Sequence, residues 1–211
     1  MFFSLKAAAT AASLVSMLSF ASAREDTHLC ESGPFDTTKM YGKSVDEQAF
    51  CDTKWDKGIS VIGIEVWATK GHVKAVQLSY SDNTKGPVHG DASSTEGNNG
   101  DWYGHGAISW KEGELVTDVH MAGNYWGNGD GLGMLHMEVG AGNKLDVKSD
   151  VGSFNGEPQL LSSGLLVGAY GSAGGFVTSF GLMFMKNTVG KAEIIELKFP
   201  ESLDDLNKKQ E

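Results

Sequence analysis

Cysteine is scarce in this sequence: among 211 residues only Cys30 and Cys51 carry thiols. Two thiolates cannot close a four-ligand structural zinc site unaided, and no histidine pair near them has ligand spacing. Basic residues are also few, 17 Lys and Arg against 27 Asp and Glu, for a formal net charge of -10. Neutralising phosphates takes clustered Lys and Arg, so nucleic acid and anionic membrane surfaces are excluded as partners. The acid excess reads as solubility. No apolar run of spanning length follows Phe20, so no membrane insertion is expected. No Asn is followed two residues on by Ser or Thr, which removes the N-glycosylation signal.

Catalytic signatures are missing as well. There is no G-x-S-x-G, no His-Glu-x-x-His and no catalytic cysteine context. A glycosidase needs two carboxylates facing each other across a cleft. Asp118, Asp130 and Glu138 are available, but they occupy ordinary strand or loop positions with nothing to single them out. His89, His105, His120 and His136 are scattered and read as surface or strand-edge residues. The expectation is a binding protein with no catalytic residue, no cofactor and no metal.

The amino terminus has the pattern of a secretory signal peptide. Lys6 precedes an apolar, small-residue run from Ala7 to Phe20, and Ala21-Ser22-Ala23 fits a cleavage site before Arg24. Residues 1–23 are therefore expected to be removed and the protein to be secreted and extracellular. On that oxidising route Cys30 and Cys51 are expected to form a disulfide, stapling residues 24–54 as an extension ahead of the main domain.

What the chain does have is a repeated pattern of apolar runs around tight turns. Leu165–Met185 carries two such runs flanking Gly171, Gly174 and Gly175, the signature of a buried β-hairpin. Ile59–Tyr80 repeats it around Lys70-Gly71-His72, and Ala107–Met121 repeats it around Lys111-Glu112-Gly113-Glu114. Three hairpins of one pattern predict an internally repeated all-β domain. Leu132–Val139, Asp146–Phe154 and Ile194–Phe199 supply further short strands, and Glu201–Glu211 is a charged tail.

Two polar, glycine-rich loops contain aromatic pairs. Ser81–Tyr103 ends in Trp102-Tyr103, and Asn124–Gly133 holds Tyr125-Trp126. Such pairs either offer stacking platforms to sugar rings, whose C–H faces are apolar and whose rims are polar, or cover the end of the domain. The Gly127–Gly131 stretch lacks the spaced acids and distal Glu of a calcium loop.

The ordered set Trp55-Asp56-Lys57-Gly58, Ile64–Tyr80, Val88-His89-Gly90, Gly113-Glu114-Leu115-Val116, Met121-Ala122-Gly123, Gly152-Ser153-Phe154 and Val167–Gly174 resembles the jacalin-related lectins. The resemblance covers about Trp55 to Met185. It implies a β-prism of three four-stranded antiparallel sheets with pseudo-threefold symmetry over residues 55–190, with 191–211 a C-terminal strand and tail. It also implies a carbohydrate site on a G-x-x-x-D turn, where backbone amides and a terminal aspartate hold ring hydroxyls. Here that motif falls on Gly174-Gly175-Phe176-Val177-Thr178, with Thr178 in place of the aspartate; the first repeat, Lys70–Lys74, ends in lysine. A hydroxyl cannot grip two sugar hydroxyls as a carboxylate does. The expected carbohydrate-binding residues are thus Gly174, Gly175, Phe176 and Thr178, with Trp102, Tyr103, Tyr125 and Trp126 compensating by stacking. The expected partners are glycans of cell walls or glycoproteins, and a homo-oligomer is a further expectation, since many members of the family are multimers.

Overall fold

The computed structural model describes residues 27–93, 104–123, 130–149, 157–160 and 163–186. Three antiparallel sheets enclose one core. The first has the order β6-β5-β4-β7, built from β4 (Val61–Ala68), β5 (Val73–Tyr80), β6 (His89–Gly90) and β7 (Gly104–Ser109). The second has the order β10-β9-β8-β11, from β8 (Val116–Gly123), β9 (Leu132–Val139), β10 (Asn143–Lys148) and β11 (Glu157–Pro158). The third joins β12 (Leu166–Ala173) and β13 (Val177–Met185) to β3 (Ala49–Thr53) on one side and to β1 (Phe35–Thr37) and β2 (Tyr41–Gly42) on the other. β1 pairs with Met183–Met185 and β2 with Ser179–Phe180, so the two share one edge position and the sheet is four strands wide. This is the expected prism.

The pseudo-threefold symmetry is written into the register. Each central hairpin carries one unpaired extra residue near each end: Ile62 and Lys74 in the first, Thr117 and Gly133 in the second, Val167 and Thr178 in the third. These are β-bulges, which bend a strand and increase its twist so that a flat ribbon can turn a corner. The carbonyls of Lys74, Gly133 and Thr178 each accept from the outer strand, from the N–H of Asp91, Ser149 and Lys43. At two of these places the outer strand needs glycine. A Cβ on Gly90 (φ +104°) or Gly42 (φ +90°) would sit 2.0 Å from the carbonyl oxygen of Lys74 or Thr178.

Two expectations need correction. Ala107–Met121 is not a hairpin: β7 belongs to the first sheet and β8 to the second, so Lys111–Glu114 is a corner between sheets and the second hairpin is β8–β9. Nor does the stapled segment stand ahead of the prism, since β1, β2 and β3 are edge strands of the third sheet. Ile194–Phe199, the charged tail and the signal segment lie outside the described residues.

The core gathers Val66, Val76, Met121, Leu135, Met137, Phe180 and Leu182 from all three sheets. The third sheet is also covered outside, where Leu29, Phe35 and Trp55 pack on Leu165, Val167 and Met183. The Trp55 indole donates to the Leu29 carbonyl at 2.9 Å. This cover explains why β13 is apolar almost throughout: eight of its nine residues are buried. The Cys30–Cys51 disulfide, closing a separation of 21 residues, clamps the cover to β3. Replacing both cysteines with serine is expected to cost about 3 kcal/mol, from the lost constraint on the unfolded chain. Urea unfolding of the oxidised protein and the double variant measures it; equal midpoints would show that the cover holds without its clamp.

Candidate functional site at the hairpin end of the prism

The three central hairpins turn at one end of the molecule, and Phe176 sits where they meet. Its ring stacks on His72 of the first hairpin, centroids 4.3 Å apart and planes 20° from parallel. Gly131 of the second hairpin lies against it, since a Cβ there would be 2.9 Å from the Phe176 ring. Phe176 is therefore half-buried and spends one face inside the protein. The adjoining turn is open: Gly175 is exposed, and a Cβ built on it meets nothing. The Gly174 N–H is used within the turn, donating to the Phe176 carbonyl at 3.0 Å.

Thr178 points inward. It is 9% exposed, and its hydroxyl donates to the Ser172 carbonyl at 2.9 Å and lies 2.6 Å from Ser172 Oγ. Lys74, at the equivalent bulge, is 8% exposed. The third equivalent position is Gly133, hidden from sequence reasoning by the misplaced second hairpin.

Beside the glycine turn stands Lys43–Gln48, a segment without glycine that ends in a short 3-10 turn, Asp46–Gln48. Two contacts fix it there. The Val45 N–H donates to Ser172 Oγ at 3.0 Å. The Gln48 side chain closes on the turn, so that a Cβ on Gly174 would be 2.6 Å from its amide oxygen. Between those anchors Asp46 and Glu47 are exposed. Sequence reasoning missed these two carboxylates because their place beside the turn depends on β2 and β3 joining strands 115 to 139 residues away.

Trp102, Tyr103, Tyr125 and Trp126 lie outside the described residues. Their described neighbours are at this end: Gly104 pairs with Ala68 at the tip of β4, and Gly123 ends β8. Asp118 and Glu138 face each other across neighbouring strands on the outer surface of the second sheet, which is not a cleft. Each of the four singled-out histidines has a carboxylate within 3.1 Å or closer: His89 with Asp52, His105 with Glu65, His120 with Asp118 and His136 with Asp146.

The sequence matches no family model and no curated protein. Its fold matches solved structures. A lamprey immune protein superposes with a TM-score of 0.59 at 17% identity, over 74% of this chain and 45% of that one, so this chain spans less than half of the lamprey protein. Artocarpin in complex with mannotriose gives 0.54 at 16% identity, over 72% of this chain and 99% of artocarpin. Single-chain recombinant jacalin gives 0.52 at 16% identity, over 74% of this chain and 97% of jacalin. The architecture is thus the one that the jacalin-related lectins share.

Proposed function

We propose that this protein is a secreted, lectin-like carbohydrate-binding protein whose glycan site lies at the hairpin end of the prism. The observation that carries the reading is the turn at Gly174 and the exposed Gly175, beside which the Lys43–Gln48 segment, anchored through Val45 and Gln48, carries the exposed carboxylates of Asp46 and Glu47. A turn without side chains lets a sugar ring approach the backbone closely, and ionised carboxylates accept sugar hydroxyls through charge-assisted bonds. In this arrangement the acid missing at position 178 is supplied from the neighbouring segment. Artocarpin, of the same fold, is seen with mannotriose, which favours glycans of cell walls or glycoproteins as ligands here. Trp102, Tyr103, Tyr125 and Trp126 would extend the site by stacking.

Asp46→Asn combined with Glu47→Gln is expected to weaken glycan binding about ten- to hundredfold, the worth of one charged hydrogen bond at about 1.5–3 kcal/mol. A glycan array covering mannosides, galactosides and cell-wall polysaccharides, followed by titration of the best ligand, measures this. Unchanged affinity in the double variant would remove the two carboxylates from the site.

A second reading has its own observation. Both positions that would carry a motif acid are occupied otherwise, by inward Thr178 and by Lys74. A prism scaffold that has lost simple-sugar binding would use the same end to recognise a protein or cell-wall surface. An empty array beside a specific pull-down partner would select it.

A further inference from the structure

The three central hairpins end alike, and a difference at one register position singles out Ser172. Trp67, Ala122 and Ser172 hold the same place in their hairpins, beside the bulge residues Lys74, Gly133 and Thr178. Trp67 stacks on His105, and Ala122 has no polar group to offer. The fold therefore does not ask for a hydroxyl at this position. Ser172 is 0% exposed, and its Oγ has three polar partners: Thr178 Oγ1 at 2.6 Å, Ser179 Oγ at 2.8 Å and the Val45 N–H at 3.0 Å.

The segment lying over each bulge differs to match. In all three repeats one of its amides donates to the bulge carbonyl, from Lys43, Asp91 and Ser149. Two residues further on the paths of the first and third repeats part. The Ser93 N–H turns back to Asp91 Oδ1 at 3.0 Å, within its own segment. The Val45 N–H instead crosses to Ser172 Oγ, 127 positions away in the chain. A proton count then gives the direction of each bond beneath the turn, since a hydroxyl donates once and accepts through two lone pairs. The Thr178 proton goes to the Ser172 carbonyl. Ser172 therefore donates to Thr178 Oγ1, and its lone pairs receive the Ser179 hydroxyl and the Val45 N–H. The Ser172 oxygen is saturated in this arrangement, and one of its bonds is spent on the backbone that leads into Asp46.

We propose that Ser172 is a positioning residue of the glycan site, holding the Lys43–Gln48 segment, and with it the carboxylates of Asp46 and Glu47, beside the Gly174 turn. The inference rests on the glycan reading above and adds to it the buried group that sets the affinity of the site. Ser172 is fully buried and cannot touch a ligand itself. It acts through Val45, the residue before Asp46, by fixing the backbone from which both acids project. A binding segment that is ordered beforehand loses less conformational freedom when the ligand arrives, so the hydrogen bond to Ser172 is returned as glycan affinity.

Amide hydrogen exchange at Val45 and titration of the tightest glycan from the array of mannosides, galactosides and cell-wall polysaccharides test the proposal on the full oxidised protein. Ser172→Ala is expected to speed Val45 exchange about two- to tenfold, the worth of one neutral hydrogen bond, and to weaken glycan binding by a similar factor. Placed on the Asp46→Asn, Glu47→Gln protein it is expected to weaken binding no further, because its effect runs through those two acids; a general loosening of the fold would add to theirs. Ser179→Ala removes an equally buried hydroxyl of the same cluster but leaves the Val45 bond in place, so both readings should stay close to the parent's. A parent Val45 amide exchanging as fast as that of exposed Ser44 would overturn the proposal without any variant having to fold. So would binding that Ser172→Ala weakens equally with and without the two carboxylates, or a Ser179→Ala protein that matches Ser172→Ala in both readings. Failure of the glycan reading is told apart from these: the parent then binds no array glycan while its Val45 amide is protected and loses that protection in Ser172→Ala, and the positioning role falls with the site it serves.

Discussion

Replacing Asp52 with alanine is expected to lower the unfolding free energy by about 3 kcal/mol, the scale at which one partner of a buried, hydrogen-bonded charge is removed. Asp52, on β3, is 7% exposed and accepts from the Tyr80 hydroxyl, while its second oxygen lies 3.1 Å from His89 Nε2. Tyr80 ends β5 and is 0% exposed, and His89 on β6 stacks on Phe50 of β3 at 3.8 Å. One carboxylate thus pins the third sheet to the first. Without it the Tyr80 hydroxyl is left buried beside an apolar methyl. Asp52→Asn keeps an acceptor and should recover part of the loss. The same network sets an alkaline limit. Burial, and then the Asp52 charge, hold the Tyr80 phenol far above the ordinary tyrosine value. A folded-state pKa raised in this way leaves stability intact below about pH 10 and removes it as pH rises and the unfolded chain ionises, by about 1.4 kcal/mol per pH unit. Tyr80→Phe removes that slope. Urea unfolding at neutral pH and at pH values above 10 checks both parts, and an Asp52→Ala protein within about 0.5 kcal/mol of the parent at neutral pH would show the pin to be idle.

How much of this was legible in the chain depends on whether the information was local. The hairpin read at Ile59–Tyr80 begins at Val61 and ends at Tyr80, and the one read at Leu165–Met185 begins at Leu166 and ends at Met185. Both are long apolar runs around short turns, so burial and turn chemistry are written together. Ala107–Met121 looks the same and is not. Ile108 and Trp110 before the corner and Val116 after it are all buried, but alternation reports which face is covered and not which strand lies alongside. The edge strands Phe35–Thr37 and Tyr41–Gly42 are too short to show any period. Their partners on β13 lie about 140 residues away in the chain. Asp118-x-His120 and His136-x-Glu138 each place two polar groups on one strand face, but only the pairing of His120 with His136 sets them side by side on the second sheet.

Thr178→Asp, which restores the acid of the G-x-x-x-D pattern, is expected to cost about 2 kcal/mol and to leave simple-sugar affinity unimproved. The reason is the proton count in the hydroxyl cluster beneath the turn. Ser172 Oγ lies 2.6 Å from Thr178 Oγ1 and 2.8 Å from Ser179 Oγ, and also accepts from the Val45 N–H at 3.0 Å. Thr178 in turn donates to the Ser172 carbonyl at 2.9 Å. An ionised carboxylate has no proton to give, so the carbonyl would lose its donor and face a negative charge at a position only 9% exposed. Thr178→Ser keeps the donor and should be close to neutral, which separates the proton count from the lost methyl. Urea unfolding of the three proteins, with mannose and galactose titrated into each, reads both effects. If Thr178→Asp instead bound a monosaccharide at least tenfold more tightly than the parent, the residue would have to turn out toward the ligand. The turn would then be an open cradle lacking only its acid, and the carboxylates of Asp46 and Glu47 would no longer be needed to explain how this prism holds a glycan.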